Sequence, residues 1–193
     1  MSVILASTSP YRRRLLSRLG IEFDVASPSC DEDAVKEEHA TRGSTVAEIA
    51  ADLADRKAAS LEGIAAESIV IGSDQIAHLD GRVLDKPGSV PRACEQLGFL
   101  AGRTHELVTA VTVRRGTKVR RHTDVTRLTL RPLAPAEIAE YVEADSPLDC
   151  CGSYKIESRG IALFDRVETE DPTAIEGLPL IAVARFLREF AAL

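Results

Sequence analysis

The sequence predicts a mixed α/β fold, α+β in its local detail, and three observations carry that prediction. A short apolar run at residues 3–6 leads through a Ser-rich turn into a helix that starts at Pro10. Residues 69–71 are apolar without alternation, as in a strand covered on both faces of a sheet. Turn signals at Asp80-Gly81 and near Gly116 separate extended segments and predict hairpins. With 193 residues, the chain has room for one full core, and residues 1–193 are read as a single domain.

The elements follow in order. Helix 10–19 takes Ser9 as its N-cap, Pro10 at its first position and Gly20 at its end. IEFDVASP, residues 21–28, reads as a strand running into the acidic CDED at 30–33. Thr45 and Glu48 form a capping-box pattern. It opens a helix with Val46, Ile49, Ala50, Leu53, Ala54 and Leu61 on one stripe, ended by Gly63. In SIVIGSDQ the strand gives way to a Gly-Ser-Asp-Gln turn, which sets Asp74 at a strand's carboxyl end. Lys86-Pro87 lies in a loop, and residues 89–102 read as a helix. HELVTAV through RLTL forms two long strands, the second alternating through Val125, Leu128 and Leu130. A short helix at 135–142 and a strand at 161–167 come next. The last helix starts at Pro179, with Leu180, Ile181, Val183, Ala184, Leu187 and Phe190 on its stripe.

Composition excludes several classes. A net charge of −6 with no long basic run argues against a general nucleic-acid binder. The N-terminus MSVILASTSP carries no basic leader, so no signal peptide is expected. No apolar stretch approaches the roughly 20 residues that span a bilayer, so no membrane partner is expected. Cys30, Cys94, Cys150 and Cys151 lack CxxC spacing, which argues for a reducing compartment, the cytoplasm, and against a zinc or disulfide framework. His39, His78, His105 and His122 show no ligand spacing, and there is no Walker A or GxGxxG motif.

Four features place charge where a purely structural sequence rarely needs it. Arg12, Arg13 and Arg14 crowd a helix N-terminus, the end that the macrodipole reserves for anions. Beside them Ser7, Ser9 and the backbone N–H groups form a phosphate-binding turn; the alternative is a solvated arginine face. Lys57 lies on an apolar stripe, so it either snorkels to water or points into a polar cleft. Asp74 is a metal ligand, a general base or a turn cap. Glu32, with Asp31 or Asp33, offers Mg²⁺ a second carboxylate, and Lys86 on its stiff loop offers a phosphate contact.

Taken together and in order, LASTSPYRRRLL, Asp31-Glu32, LADRKA, IGSDQ, DKP, THELVTAV, CCGSYKIE and GLPL resemble the Maf family of nucleoside triphosphate pyrophosphatases. The similarity covers nearly the whole chain. It implies a Maf/ITPase-like fold, a central mixed twisted sheet flanked by helices with a substrate cleft between two lobes. It also implies cleavage of a nucleoside triphosphate between the α- and β-phosphates, with a divalent cation such as Mg²⁺, Mn²⁺ or Co²⁺. By motif, Ser7, Arg12, Lys57 and Lys86 are implied phosphate binders, with Arg13 and Ser9 beside them. Glu32 and Asp74 are the implied metal carboxylates, and Asp74 the proton acceptor for the attacking water.

Base choice rests on Tyr11, Gln75 and Glu157. They resemble the 7-methyl-GTP branch, whose pattern is an aromatic after Ser-Pro, SDQ, and GS-aromatic-K-x-E. Tyr11 would stack on a cationic methylated ring, and Glu157 would accept from the guanine N1–H and N2 amine. Tyr11 replaces the tryptophan often found in that branch, and Cys151 and IESRG also depart from the common pattern. Tyr11 packing on Leu15 is the structural alternative. Hydrolysis of dTTP, UTP or another modified nucleotide is the competing activity. A non-catalytic nucleotide-binding regulator of cell division is the competing class. The resemblance further implies a homodimer.

Overall fold

The computed structural model describes every residue except Met1, Glu62 and Ala66. The elements are β1 (Val3–Ala6), α1 (Pro10–Ser17), β2 (Asp24–Ala26), α2 (Glu32–Arg42), α3 (Val46–Ala59), β3 (Ile69–Leu79), β4 (Arg82–Leu84) and α4 (Val90–Leu100). They continue with β5 (Thr104–Arg115), β6 (Lys118–Leu130), α5 (Pro135–Asp145), β7 (Phe164–Glu168) and α6 (Leu180–Glu189). The strands form one seven-stranded mixed sheet in the order β2-β1-β3-β5-β6-β7, with β4 folded back on the end of β3. The predicted mixed α/β class is what the chain adopts, with parallel pairing of β1 to β2 and β3 and antiparallel pairing of β6 to β7.

Two compact units divide the chain. The first comprises Met1–Asp74, Thr109–Asp124 and Asp171–Leu193. Its core joins Leu5 of β1, Ile69 and Ile71 of β3, Val111 and Val113 of β5, Leu15 and Leu16 of α1, and the buried stripe of α6. That stripe is Leu180, Ala182, Val183, Phe186 and Leu187. Ile181 is 63% exposed, contrary to expectation, because the helix turns its 182/186/190 row inward instead. On α3, Ala54 and Ala58 lie directly against Gly72. A Cβ on that glycine would stand 2.4 Å from the Ala54 carbonyl oxygen and 2.5 Å from the Ala58 nitrogen. The close approach that Gly72 permits is therefore that of a helix.

Three elements of this unit differ from expectation. The strand expected over 21–28 is only Asp24–Ala26, and CDED opens a helix: Asp31 caps α2 by accepting from Ala34 N at 3.0 Å, and the acidic residues behind it suit the positive helix end. Helix α3 stops at Ala59 with Ser60 as its cap, short of Gly63. Gly72-Ser73-Asp74-Gln75 is no turn but the middle of β3. Local polarity predicts a break there, and tertiary partners remove it. The Ser73 hydroxyl lies 2.8 Å from Ala110 O and 3.0 Å from Gly177 O, and Asp74 meets Lys57.

The second unit comprises Gln75–Val108 and Val125–Glu170. The β3–β4 hairpin turns at Asp80 and Gly81, with φ of 51° and 80°, the left-handed pair that a two-residue turn requires. Leu128 and Leu130 are buried as predicted, but Val125 is 45% exposed because an odd position in that register faces outward. Strand β7 begins at Phe164, later than expected, because residues 159–163 form a 3₁₀ turn. Tyr154 sits edge-on to both His105 and Phe164, at centroid distances of 5.5 and 5.0 Å.

Candidate active site

The first unit assembles five of the sequence-predicted residues. Ser7 follows β1 directly and is buried; its Oγ accepts from Ser9 N at 3.2 Å. Ser9 caps α1, accepting from Arg12 N at 3.4 Å. This short strand–turn–helix fixes where Arg12 leaves the backbone. The Arg12 guanidinium then bridges: Nε donates to Gly177 O at 2.9 Å and Nη1 to Ser7 Oγ at 3.4 Å. Gly177, at φ 106°, closes a 3₁₀ turn over Pro172–Glu176. Asp171 holds that segment by accepting from Thr173 N at 3.0 Å and Ile181 N at 2.7 Å.

The three arginines have different fates. Arg12 is tethered beside Ser7. Arg14 pairs with Glu176 at 2.8 Å and stands 5.8 Å from the Tyr11 ring centroid, so it is not merely solvated. Arg13 is exposed and, together with Arg14, lines a separate groove of about 750 Å³ with Pro10, Ser17, Ile21 and Phe23. Neither Ser7, Lys57 nor Asp74 lines that groove.

The centre is an ionic trio. Lys57, on the inner face of α3, places Nζ 2.6 Å from Asp74 Oδ1 and 2.7 Å from Glu32 Oε1. The Lys57 and Asp74 side chains are only 6% and 8% exposed, whereas Glu32 is 48% exposed. Lys57 thus takes the polar direction of the two that its stripe position allowed. Of the three acids near position 32, Asp31 is spent as a helix cap and Asp33 is exposed, so Glu32 is the carboxylate that reaches the trio. Burial drives the Asp74 carboxyl above its usual range, against the pull of Lys57 and Arg12. Partial burial would also raise Glu32, but the Lys57 ammonium holds it below its usual range.

Cys30 was not singled out by sequence. It stands close enough to feel the charges of Lys57, Glu32 and Asp74, and burial raises its thiol pKa. Ser73, Gly177 and Asp171 were also missed as supports, although GLPL contains Gly177; only their contacts reveal the role. His39 is accounted for structurally, by Ser44 at 2.8 Å and Asp52 at 3.0 Å.

The remaining predicted residues belong to the second unit. Gln75 follows Asp74 on β3, and Cys151 Sγ lies 3.6 Å from its Oε1. Lys86 is exposed in the loop after β4, where Gly88 N donates to Leu148 O at 3.0 Å. Glu157 is exposed, two residues beyond Lys155, which caps the end of α5 through Asp145 O and Ser146 O at 3.1 Å.

The donor set fits a hard divalent cation. Glu32 and Asp74 converge on a single point and offer oxygen ligands, as Mg²⁺ prefers. Among the described residues, no group of three His, Cys, Asp or Glu side chains is placed to hold a metal. Among the same residues, no helix is long and apolar enough to cross a membrane.

The chain is similar to known proteins over nearly its whole length. The family model described as Maf-like protein matches residues 2–190. A 7-methyl-GTP pyrophosphatase of Bdellovibrio bacteriovorus is 45% identical over 185 residues, covering 96% of this chain and 95% of its own. A protein of the same name from Xanthomonas oryzae pv. oryzae is 47% identical over 187 residues, covering 97% and 95%. Another from Bordetella pertussis is 44% identical over 188 residues, covering 97% and 92%. With matches of this extent and identity, the chain belongs to the Maf family.

Proposed function

We propose that this protein hydrolyses a nucleoside triphosphate between its α- and β-phosphates, with 7-methyl-GTP as the favoured substrate. One observation carries the chemistry: a buried carboxylate, Asp74, held beside two cations, Lys57 and Arg12, at a Ser-rich helix start. The substrate is supported by relatives at 44–47% identity that carry the name 7-methyl-GTP pyrophosphatase.

A triphosphate carries about four negative charges, and attack at phosphorus adds charge to the departing pyrophosphate. Arg12 and Lys57 meet that charge, with the Ser7 hydroxyl as a neutral partner. Arg12 is pre-oriented by Gly177 O, so little reorganisation is needed when phosphate arrives. Asp74 accepts the proton of the attacking water, and its raised pKa strengthens it as a base. Glu32 and Asp74 are the residues that would hold a divalent ion. Such an ion polarises phosphate oxygens and neutralises charge. Lys86, Gln75 and Glu157 are assigned to phosphate and base by motif, and Tyr11 to stacking. The same proposal includes a homodimer in the cytoplasm, a compartment in keeping with Cys30, Cys94, Cys150 and Cys151 as thiols outside any disulfide.

Wild-type protein and Asp74→Asn, incubated with Mg²⁺ and a panel of 7-methyl-GTP, GTP, dTTP and UTP, provide the test. Pyrophosphate release by wild type from 7-methyl-GTP above the others, and its loss in Asp74→Asn, is expected. Preference for dTTP or UTP would overturn the substrate. Equal nucleotide binding by both proteins without turnover would favour a nucleotide-binding regulator.

A further inference from the structure

Lys57 occupies the point that a cation shared by Glu32 and Asp74 would take. Its Nζ contacts one oxygen of each carboxylate, at 2.7 and 2.6 Å, and the residue is 5% exposed. This is no solvent-averaged surface pair. The ammonium partly neutralises the two carboxylates without any bound ion. We propose that Lys57 is a built-in counter-cation competing with the divalent ion for the Glu32–Asp74 pair, so that the ion binds tightly only when a triphosphate gives the ammonium another anionic partner.

Three arguments support the competition. With Lys57 in place the trio carries a net charge of −1; without it the carboxylates present −2. Divalent-ion affinity rises with the charge of the ligand set. The protein supplies only these two carboxylates, since no third His, Cys, Asp or Glu joins them among the described residues. Finally, a buried ammonium withdrawn from its partners is costly, so Lys57 leaves readily only toward another anion. A phosphate oxygen is such an anion. Metal and nucleotide then bind cooperatively, and by linkage each strengthens the other equally. The inference rests on the triphosphate reading above for the anion that receives Lys57.

Titration of the full-length protein with Mn²⁺, without nucleotide, measures the competition through the paramagnetic resonance of free Mn²⁺. Lys57→Met is expected to bind one Mn²⁺ at least about tenfold tighter than wild type, because a unit charge a few ångströms away is removed. Adding Glu32→Gln to Lys57→Met should cancel the gain. A folded Lys57→Met protein that binds Mn²⁺ no tighter than wild type overturns the proposal.

A second measurement needs no folded Lys57→Met variant. In wild-type protein labelled with ¹⁵N-lysine, the Lys57 ammonium resonance is assigned by its absence from Lys57→Arg. It should shift on Mg²⁺ addition, and at far lower Mg²⁺ when inorganic tripolyphosphate is present. A resonance that stays fixed while Mg²⁺ saturates the protein overturns the proposal as well. Neither readout depends on which nucleotide is hydrolysed, so failure of the substrate panel and failure of this inference are separable.

Discussion

Replacing Gly72 with alanine tests how the site is built. The new Cβ would lie 2.4 Å from Ala54 O, 2.5 Å from Ala58 N and 2.9 Å from Ala58 Cβ. The first two are backbone atoms within α3, so no side-chain rotation relieves the clash. Helix α3 has to lift from β3 by close to an ångström to restore ordinary contact distances. Overpacking of this kind costs about 1–3 kcal/mol, and a backbone clash belongs at the upper end. For a chain of this size, ~3 kcal/mol lowers Tm by roughly 6–12 °C. The same shift carries Lys57 away from Asp74, where the contact is now 2.6 Å. A misplacement of ~1 Å can reduce turnover about a hundredfold. Chemical denaturation and pyrophosphate release, measured on one preparation, check both effects. A Gly72→Ala protein within about 0.5 kcal/mol of wild type and fully active would refute the claim that this glycine seats the helix that carries Lys57.

Other perturbations have distinct signatures. Arg12→Lys keeps the charge but cannot reproduce the fork that joins Gly177 O to Ser7, so kcat/KM should fall ten- to a hundredfold, about 1.4–2.7 kcal/mol. Arg14→Ala removes an exposed pair with Glu176 and should change stability by less than about 1 kcal/mol in urea unfolding. Asp171→Ala strips two backbone N–H groups of their acceptor beside α6 and should cost about 2–3 kcal/mol. Burial lowers His105 from 6.5 to about 4, so the unfolded chain binds its proton first as pH falls. Stability from this residue is complete above pH 6.5 and is lost as pH falls toward 4, by at most about 3 kcal/mol. His105→Gln should flatten that slope, and an unchanged slope would assign it to other groups.

How much of this was legible beforehand varied with the range of the interactions. Helix starts are local, and Ser9-Pro10 and the Thr45/Glu48 capping box behave as their spacing predicts. Hairpin chemistry is local too, and Asp80-Gly81 turns where expected. Misread segments are those whose polarity is answered from a distance. Gly72-Ser73-Asp74 looked like a turn because nothing nearby in sequence satisfies a serine and an aspartate inside a strand. Partners at Ala110, Gly177 and Lys57 do. Helix α2 is hard to read from sequence because its start, the Asp31 cap with Glu32 and Asp33 behind it, resembles an acidic cluster, and its buried residues, Val35 and His39, are too few for a clear stripe.

By itself, the sequence carried the resemblance to the Maf family through its ordered motifs, and it determined the class of fold and the chemical inventory: cations at an N-terminal turn, acids at positions 32 and 74, and a lysine where an apolar residue belongs. These follow from residue type and spacing, which act over a turn or two of chain. Only the tertiary structure decided which of the charges meet. It brought Glu32 to Lys57 while Asp31 capped α2, tied Arg12 to Gly177 while Arg14 went to Glu176, and closed Lys57 onto both carboxylates. The contact of Lys57 with Asp74 depends on β3 running beneath α3 at its one residue without a side chain, Gly72. Electrostatic pairing weakens with distance and strengthens with burial, so it is settled where segments far apart in the chain come together.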